Sequence, residues 1–145
     1  MTKVGILYYP RNPNDWVSMT VNLVGSLRYD MRLTHCVALV GVHVIEITTN
    51  GVYICSRTDR LPAAANIWYV DDAQLASIWY RVGQAFDNDE RLLISTFLQL
   101  LLVGTTNRFT CSSFCWWLLT GQTAYQLSTP KKLYEHVQRQ ICRAS

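Results

Sequence analysis

Cys111 lies in the stretch Thr110-Cys111-Ser112-Ser113-Phe114-Cys115-Trp116-Trp117-Leu118-Leu119, whose pattern predicts a helix that opens on a thiol. The Thr110 hydroxyl can accept a hydrogen bond from an N–H of the first turn, as a cap does. Phe114, Trp117 and Leu118 recur at helical spacing, and Gly121 follows as a stop. A thiol in the first turn feels the positive end of the macrodipole. That lowers its pKa, and the thiolate is the reactive form. Such a position suits nucleophilic chemistry, in which sulfur attacks an electrophilic carbon. The other reading of Cys111 is a small buried hydrophobe.

A nucleophilic thiol needs a base within hydrogen-bond reach, and the base needs a group to orient it. The chain has three histidines, His35, His43 and His136. His35 opens an apolar run, where a polar ring is costly unless it is bonded or functional. His43 begins a second run, and His136 falls on the expected solvated face of a last helix. Glu46 stands within Val44-Ile45-Glu46-Ile47 and shares a strand face with Val44 and Thr48. A carboxylate in that setting lies on the wet face of a sheet or has a partner. On adjacent strands His35 and Glu46 can lie side by side. With a thiol on a facing helix they make a Cys–His–Glu set, for which His43 is the nearest substitute third member. Cys115, one turn after Cys111, is on the same side of the helix and reads as a packed core thiol. Cys36 should point to the sheet face opposite His35.

These residues need a sheet and a helix to carry them. Residues 4–9 read as a first strand ended by Pro10, and residues 16–29 follow a Pro-containing loop with helical periodicity. Residues 34–40 read as a central strand and 43–48 as the next. Asn50-Gly51 is a hairpin signal leading into residues 52–55, and 66–70 form a further strand. Asp71 or Asp72 can cap a helix to about Val82, with Gly83 ending it. Residues 91–103 form another, ended by Gly104. After the Cys111 helix, Thr129-Pro130 opens a last one, to about Ile141. Strands before residue 71 and helices mostly after it give an α+β class, one mostly antiparallel sheet covered by helices.

Composition bounds the rest. A chain of 145 residues fits one domain, 1–145, and can bury roughly two-thirds of its unfolded surface. Half the residues are hydrophobic and 16% are charged, which excludes a disordered chain. The net charge of +3 and scattered basic residues give no case for nucleic acid. Neither a signal peptide nor a membrane span is legible, so a cytoplasmic site is expected. Five cysteines without a secretory signal favour free thiols. Five Trp and eight Tyr leave aromatic surface available to a protein partner or a substrate.

The order His, acid, Cys at a helix start resembles the circularly permuted branch of the NlpC-type papain-like cysteine peptidases, which includes YiiX-like proteins and, more distantly, lecithin:retinol acyltransferase-like enzymes. Val4-Gly5-Ile6-Leu7 is similar to an opening "GDILL" strand, with Ile6 where the family has Asp. Thr34-His35-Cys36-Val37-Ala38-Leu39-Val40 resembles "SHVAIV", and Val44-Ile45-Glu46-Ile47 resembles "VIEA". Val82-Gly83-Gln84-Ala85-Phe86-Asp87 resembles "GxxYD", with Phe86 for Tyr. Thr110-Cys111-Ser112-Ser113 resembles "YxCSELV", with Ser113 where an acid is common, and Thr129-Pro130-Lys131-Lys132-Leu133 resembles "TPxDL". The resemblance implies a permuted papain-like fold with a small barrel-like sheet. It implies Cys111, His35 and Glu46 as catalytic residues, and no cofactor. It also implies thiol acyl transfer on a peptide, isopeptide, cell-wall peptide amide or ester substrate. Two rival readings stand beside it. One is a metal site drawn from Cys111, Cys115, His35 and His136. The other is an inactive interaction component of a larger assembly such as a viral particle.

Overall fold

The computed structural model describes residues 1–10, 33–56 and 61–144. The helix expected over 16–29 lies outside them. Among the described residues the chain is α+β: five strands form one antiparallel sheet, and four helices pack against it. The strands are β1 (Thr2–Pro10), β2 (Leu33–Val40), β3 (His43–Thr48), β4 (Gly51–Cys55) and β5 (Ala64–Val70). Their order is β4-β3-β2-β1-β5. Among the described residues this sheet is open, with β4 and β5 at its edges. The barrel-like closure expected from the resemblance is therefore not seen.

Alternation along the strands gives the sheet two apolar faces. Val4, Ile6 and Tyr8 of β1, Cys36, Ala38 and Val40 of β2, and Ile45 and Ile47 of β3 form the main core face. Leu7, Tyr9, Val37, Leu39 and Val44 form a smaller cluster on the other. The register Tyr9↔His35 and Tyr8↔Cys36 sets β2 against β1, and Leu39↔Val44 sets β3 against β2. The β3–β4 hairpin turns on Thr49 and Asn50, because Thr48 already pairs with Gly51. The turn is thus one residue earlier than Asn50-Gly51 suggests. Gly51 takes the positive φ, 130°, as the first residue of β4.

The helices are α1 (Asp72–Asp87), α2 (Ile94–Val103), α3 (Cys111–Thr120) and α4 (Pro130–Ala144). Asp71 caps α1 in a reciprocal box with Gln74, the bond from the Gln74 N–H being 2.8 Å. Gly83 does not end α1, which runs on to Asp87. A mid-helix glycine costs about 1 kcal/mol against alanine, and burial of Val82 and Ala85 on either side outweighs it. Arg91, Leu92 and Leu93 precede α2 instead of forming its first turn. Gly104 and Gly121 close α2 and α3 in the left-handed conformation.

α3 is the helix that positions the site. Eight of its ten residues are buried, and its residues join the main core with those of β2 and β3. A helix apolar on nearly every side belongs inside the molecule. Phe114 and Leu118 are fully buried. Arg81 of α1 donates from Nε to the Leu118 carbonyl at 2.8 Å, satisfying an acceptor that the helix end leaves open. No helix among the described residues is long and apolar enough to cross a membrane.

Candidate active site

Thr110 opens α3 as expected, and its hydroxyl accepts from the Ser113 N–H at 3.4 Å. The Ser113 hydroxyl in turn accepts from the Thr110 N–H at 2.9 Å. This is a capping box with serine where an acid usually closes it. It fixes Cys111 as the first residue of the helix. Cys111 is buried, with 6% of its surface exposed.

His35 and Glu46 meet across β2 and β3. The His35 Nε2 to Glu46 Oε1 distance is 2.6 Å, short enough for a charge-assisted bond. The side chains are about a quarter and two-fifths exposed, 23% and 39%. Glu46 is thus both half-wet and partnered. The Cys111 sulfur is near enough to the His35 ring for each to shift the other's pKa. His35 lies near the start of β2 and Cys111 at the start of α3, so the contact is made at the ends of the two elements. The structure therefore brings Cys111, His35 and Glu46 into one neighbourhood. His43 is elsewhere: its ring packs edge-on against Trp79 of α1, with centroids 5.4 Å apart. His136 packs against Trp116.

The electrostatics differ from the expectation for a helix N-terminus. Burial alone would lower the His35 pKa, but the hydrogen bonds to Cys111 and Glu46 outweigh it and push it up to about 10. The Cys111 thiol is not depressed. Its hydrogen bond with Cys36, followed by burial, pushes it well above the ordinary thiol range, and His35 pulls it down by less. Burial likewise holds Cys36 well above that range. Glu46 favours the charged form of His35, while Cys36 and burial favour the neutral form of the Cys111 thiol.

Sequence reasoning did not place Cys36 in the site. It does lie on the sheet face opposite His35, but that is the face on which α3 packs. Its sulfur is 3.8 Å from the Ser112 Oγ and 4.0 Å from the Cys115 sulfur. Cys111 is itself 3.8 Å from the Ser112 Oγ. The contacts join residues more than seventy positions apart, and no local pattern announces them. Among the described residues, no group of three or more His, Cys, Asp and Glu side chains could hold a metal ion. The set Cys111, Cys115, His35 and His136 does not assemble, because His136 is held against Trp116.

No family model matches the chain, and no curated protein is significantly similar to it.

Proposed function

We propose that this chain is a cysteine hydrolase of the permuted papain-like, NlpC-type kind, acting by thiol acyl transfer on a peptide, isopeptide or cell-wall peptide amide. One observation carries the reading. A single imidazole, bonded at 2.6 Å to Glu46, is electrostatically coupled to the thiol of the residue that opens a buried helix. That is the arrangement of nucleophile, base and orienting group that covalent catalysis requires.

The steps follow from the groups present. Nε2 of His35 is committed to Glu46, so Nδ1 is left for sulfur. Loss of one proton from the thiol–imidazolium pair gives the thiolate beside imidazolium. The thiolate attacks the substrate carbonyl carbon, and charge develops on its oxygen. The cap takes the Ser113 N–H, and the Cys111 N–H is the nearest remaining donor for that oxyanion. His35 then gives its proton to the leaving amine, and a thioester remains on Cys111. Neutral His35 takes a proton from water, which attacks the thioester and releases acid and thiol. Glu46 makes and breaks no bond; it orients the ring and favours its charged form.

A second reading rests on exposed apolar surface. Ile94, Leu98 and Leu102 form a stripe along α2, each more than half exposed, and Tyr69 and Tyr80 are equally open. Such a surface suits a component of a larger assembly, such as a viral particle, in which the thiol is idle. The deciding experiment is intact-mass profiling with acyl-donor electrophiles and a panel of peptide, isopeptide and cell-wall stem amides. An acyl adduct that accumulates in wild type and is lost in Cys111→Ala supports the hydrolase. A chain that forms no adduct with any of them supports the second reading.

A further inference from the structure

Tyr53 of β4 stands beside the His35–Glu46 pair, and the acyl transfer steps do not use it. It is the register partner of Glu46 in the β3–β4 hairpin. Its neighbour Val52 is buried in the main core, so alternation turns Tyr53 to the opposite sheet face, the one that carries Val44 and, two residues on, Glu46. Directly opposed side chains of an antiparallel pair are about 5 Å apart at Cβ. On its other side the Glu46 carboxylate meets His35 at 2.6 Å. His35, Glu46 and Tyr53 therefore form a row from β2 across β3 to β4, which is an edge of the sheet among the described residues. Tyr53 is 49% exposed, an aromatic side chain at the open end of that row.

We infer that Tyr53 contacts the leaving-group side of the substrate and selects an aromatic side chain at its second residue. The inference rests on the cysteine hydrolase reading of Cys111 and His35. In those steps His35 gives its proton to the leaving amine, so the amine departs over the imidazole. The chain attached to that amine then lies along the row that begins at His35. Two strand spacings separate β2 from β4, roughly 10 Å. An extended chain covers about 7 Å in two residues, and a side chain spans the remainder. Glu46, in the middle of the row, has its charge matched by His35 and leaves little for a cationic side chain. The Tyr53 ring presents an apolar face with its hydroxyl in water, and a second ring packs on such a face edge-on or offset. A glycine at the same place makes no such contact.

The test uses the full chain and an acyl donor that does not depend on the natural substrate. p-Nitrophenyl acetate acetylates Cys111, and a dipeptide amide then competes with water for the thioester. The acceptor nitrogen bonds to the acyl carbon, the C–S bond breaks, His35 takes the amine proton, and the thiolate is released beside imidazolium. This is acylation run backwards, so the acceptor enters where a leaving group departs. Glycyl-phenylalaninamide should half-saturate acetyl transfer at a concentration about fivefold below that of glycyl-glycinamide, the size of one aromatic contact. Tyr53→Ala should abolish the difference and Tyr53→Phe should keep it, with thermal unfolding showing that both variants are folded. Equal half-saturation by the two acceptors in wild type would overturn the inference. So would a Tyr53→Ala protein that weakens both by the same factor, the mark of a ring that only packs against Glu46. If the donor leaves no acetyl group on Cys111, the hydrolase reading has failed and the inference falls with it.

Discussion

His35 of β2 and Glu46 of β3 share a 2.6 Å bond through Nε2 and Oε1, and the Cys111 sulfur raises the pKa of the same ring. The imidazole is therefore held at its Nε2 end. Its tautomer and orientation are set by the carboxylate, and its charge by carboxylate and sulfur together.

Glu46→Gln keeps an acceptor for the ring but removes the charge that favours imidazolium. The His35 pKa should fall from about 10 toward its ordinary 6.5. Turnover should drop by roughly a hundredfold, the lower end of what positioned proton transfer contributes. Imidazole chemical shifts against pH, read beside turnover, check both. If neither moves, Glu46 is only a wet-face residue of the sheet.

Cys36→Ala should make Cys111 more reactive. The hydrogen bond with Cys36 is the first of the influences that raise the Cys111 thiol, and removing it lets His35 act with less opposition. Alkylation of Cys111 at neutral pH should speed up, because a larger share of it is thiolate. The loss of a buried sulfur should cost about 1 kcal/mol of stability, comparable to a methylene. A slower Cys111 in a folded Cys36→Ala protein would contradict the electrostatic account.

Stability should fall as the solution is made alkaline. His35 is raised above its unfolded value, so the native state keeps a proton that the unfolded chain releases. The stabilisation is complete below pH 6.5 and is lost as pH rises through about 10. Cys111 is raised too and works in the same direction above the ordinary thiol pKa. Urea unfolding between pH 6 and 10 should show a steeper loss in wild type than in Glu46→Gln. Equal slopes would mean that the ring is not held protonated by the carboxylate.

Thr110→Ala should remove the cap that starts α3 and cost about 1 kcal/mol, with Thr110→Ser close to wild type. Thermal unfolding reports the stability. Turnover should fall in the alanine variant as well, because the cap places Cys111.

Much of the site's scaffold was legible because it rests on local chemistry. Alternation put His35 and Glu46 on one face of neighbouring strands, and Thr110 announced the start of α3. What sequence alone missed came from longer range. The electrostatic state of Cys111 was misjudged because the helix dipole is a local signal, whereas Cys36 and the burial that overrides it are supplied by packing of β2 on α3. Gly83 was misread as a stop because its neighbours' burial is a tertiary property. The expected barrel closure came with the resemblance, and no residue pattern in the strands required it.

The central claim is that Cys111 and His35 act as one proton-linked pair. The most direct test is the rate at which each cysteine is acylated by an electrophilic acyl donor, measured by peptide mapping between pH 6 and 10 in wild type and His35→Ala. His35 lowers the thiol pKa, and on the proposed mechanism it also supplies the leaving-group proton. Its removal should therefore slow Cys111 by about a hundredfold or more across that range, while the exposed Cys55 and Cys142 react as before. Cys111 rates that are the same in both proteins at every pH would contradict the account.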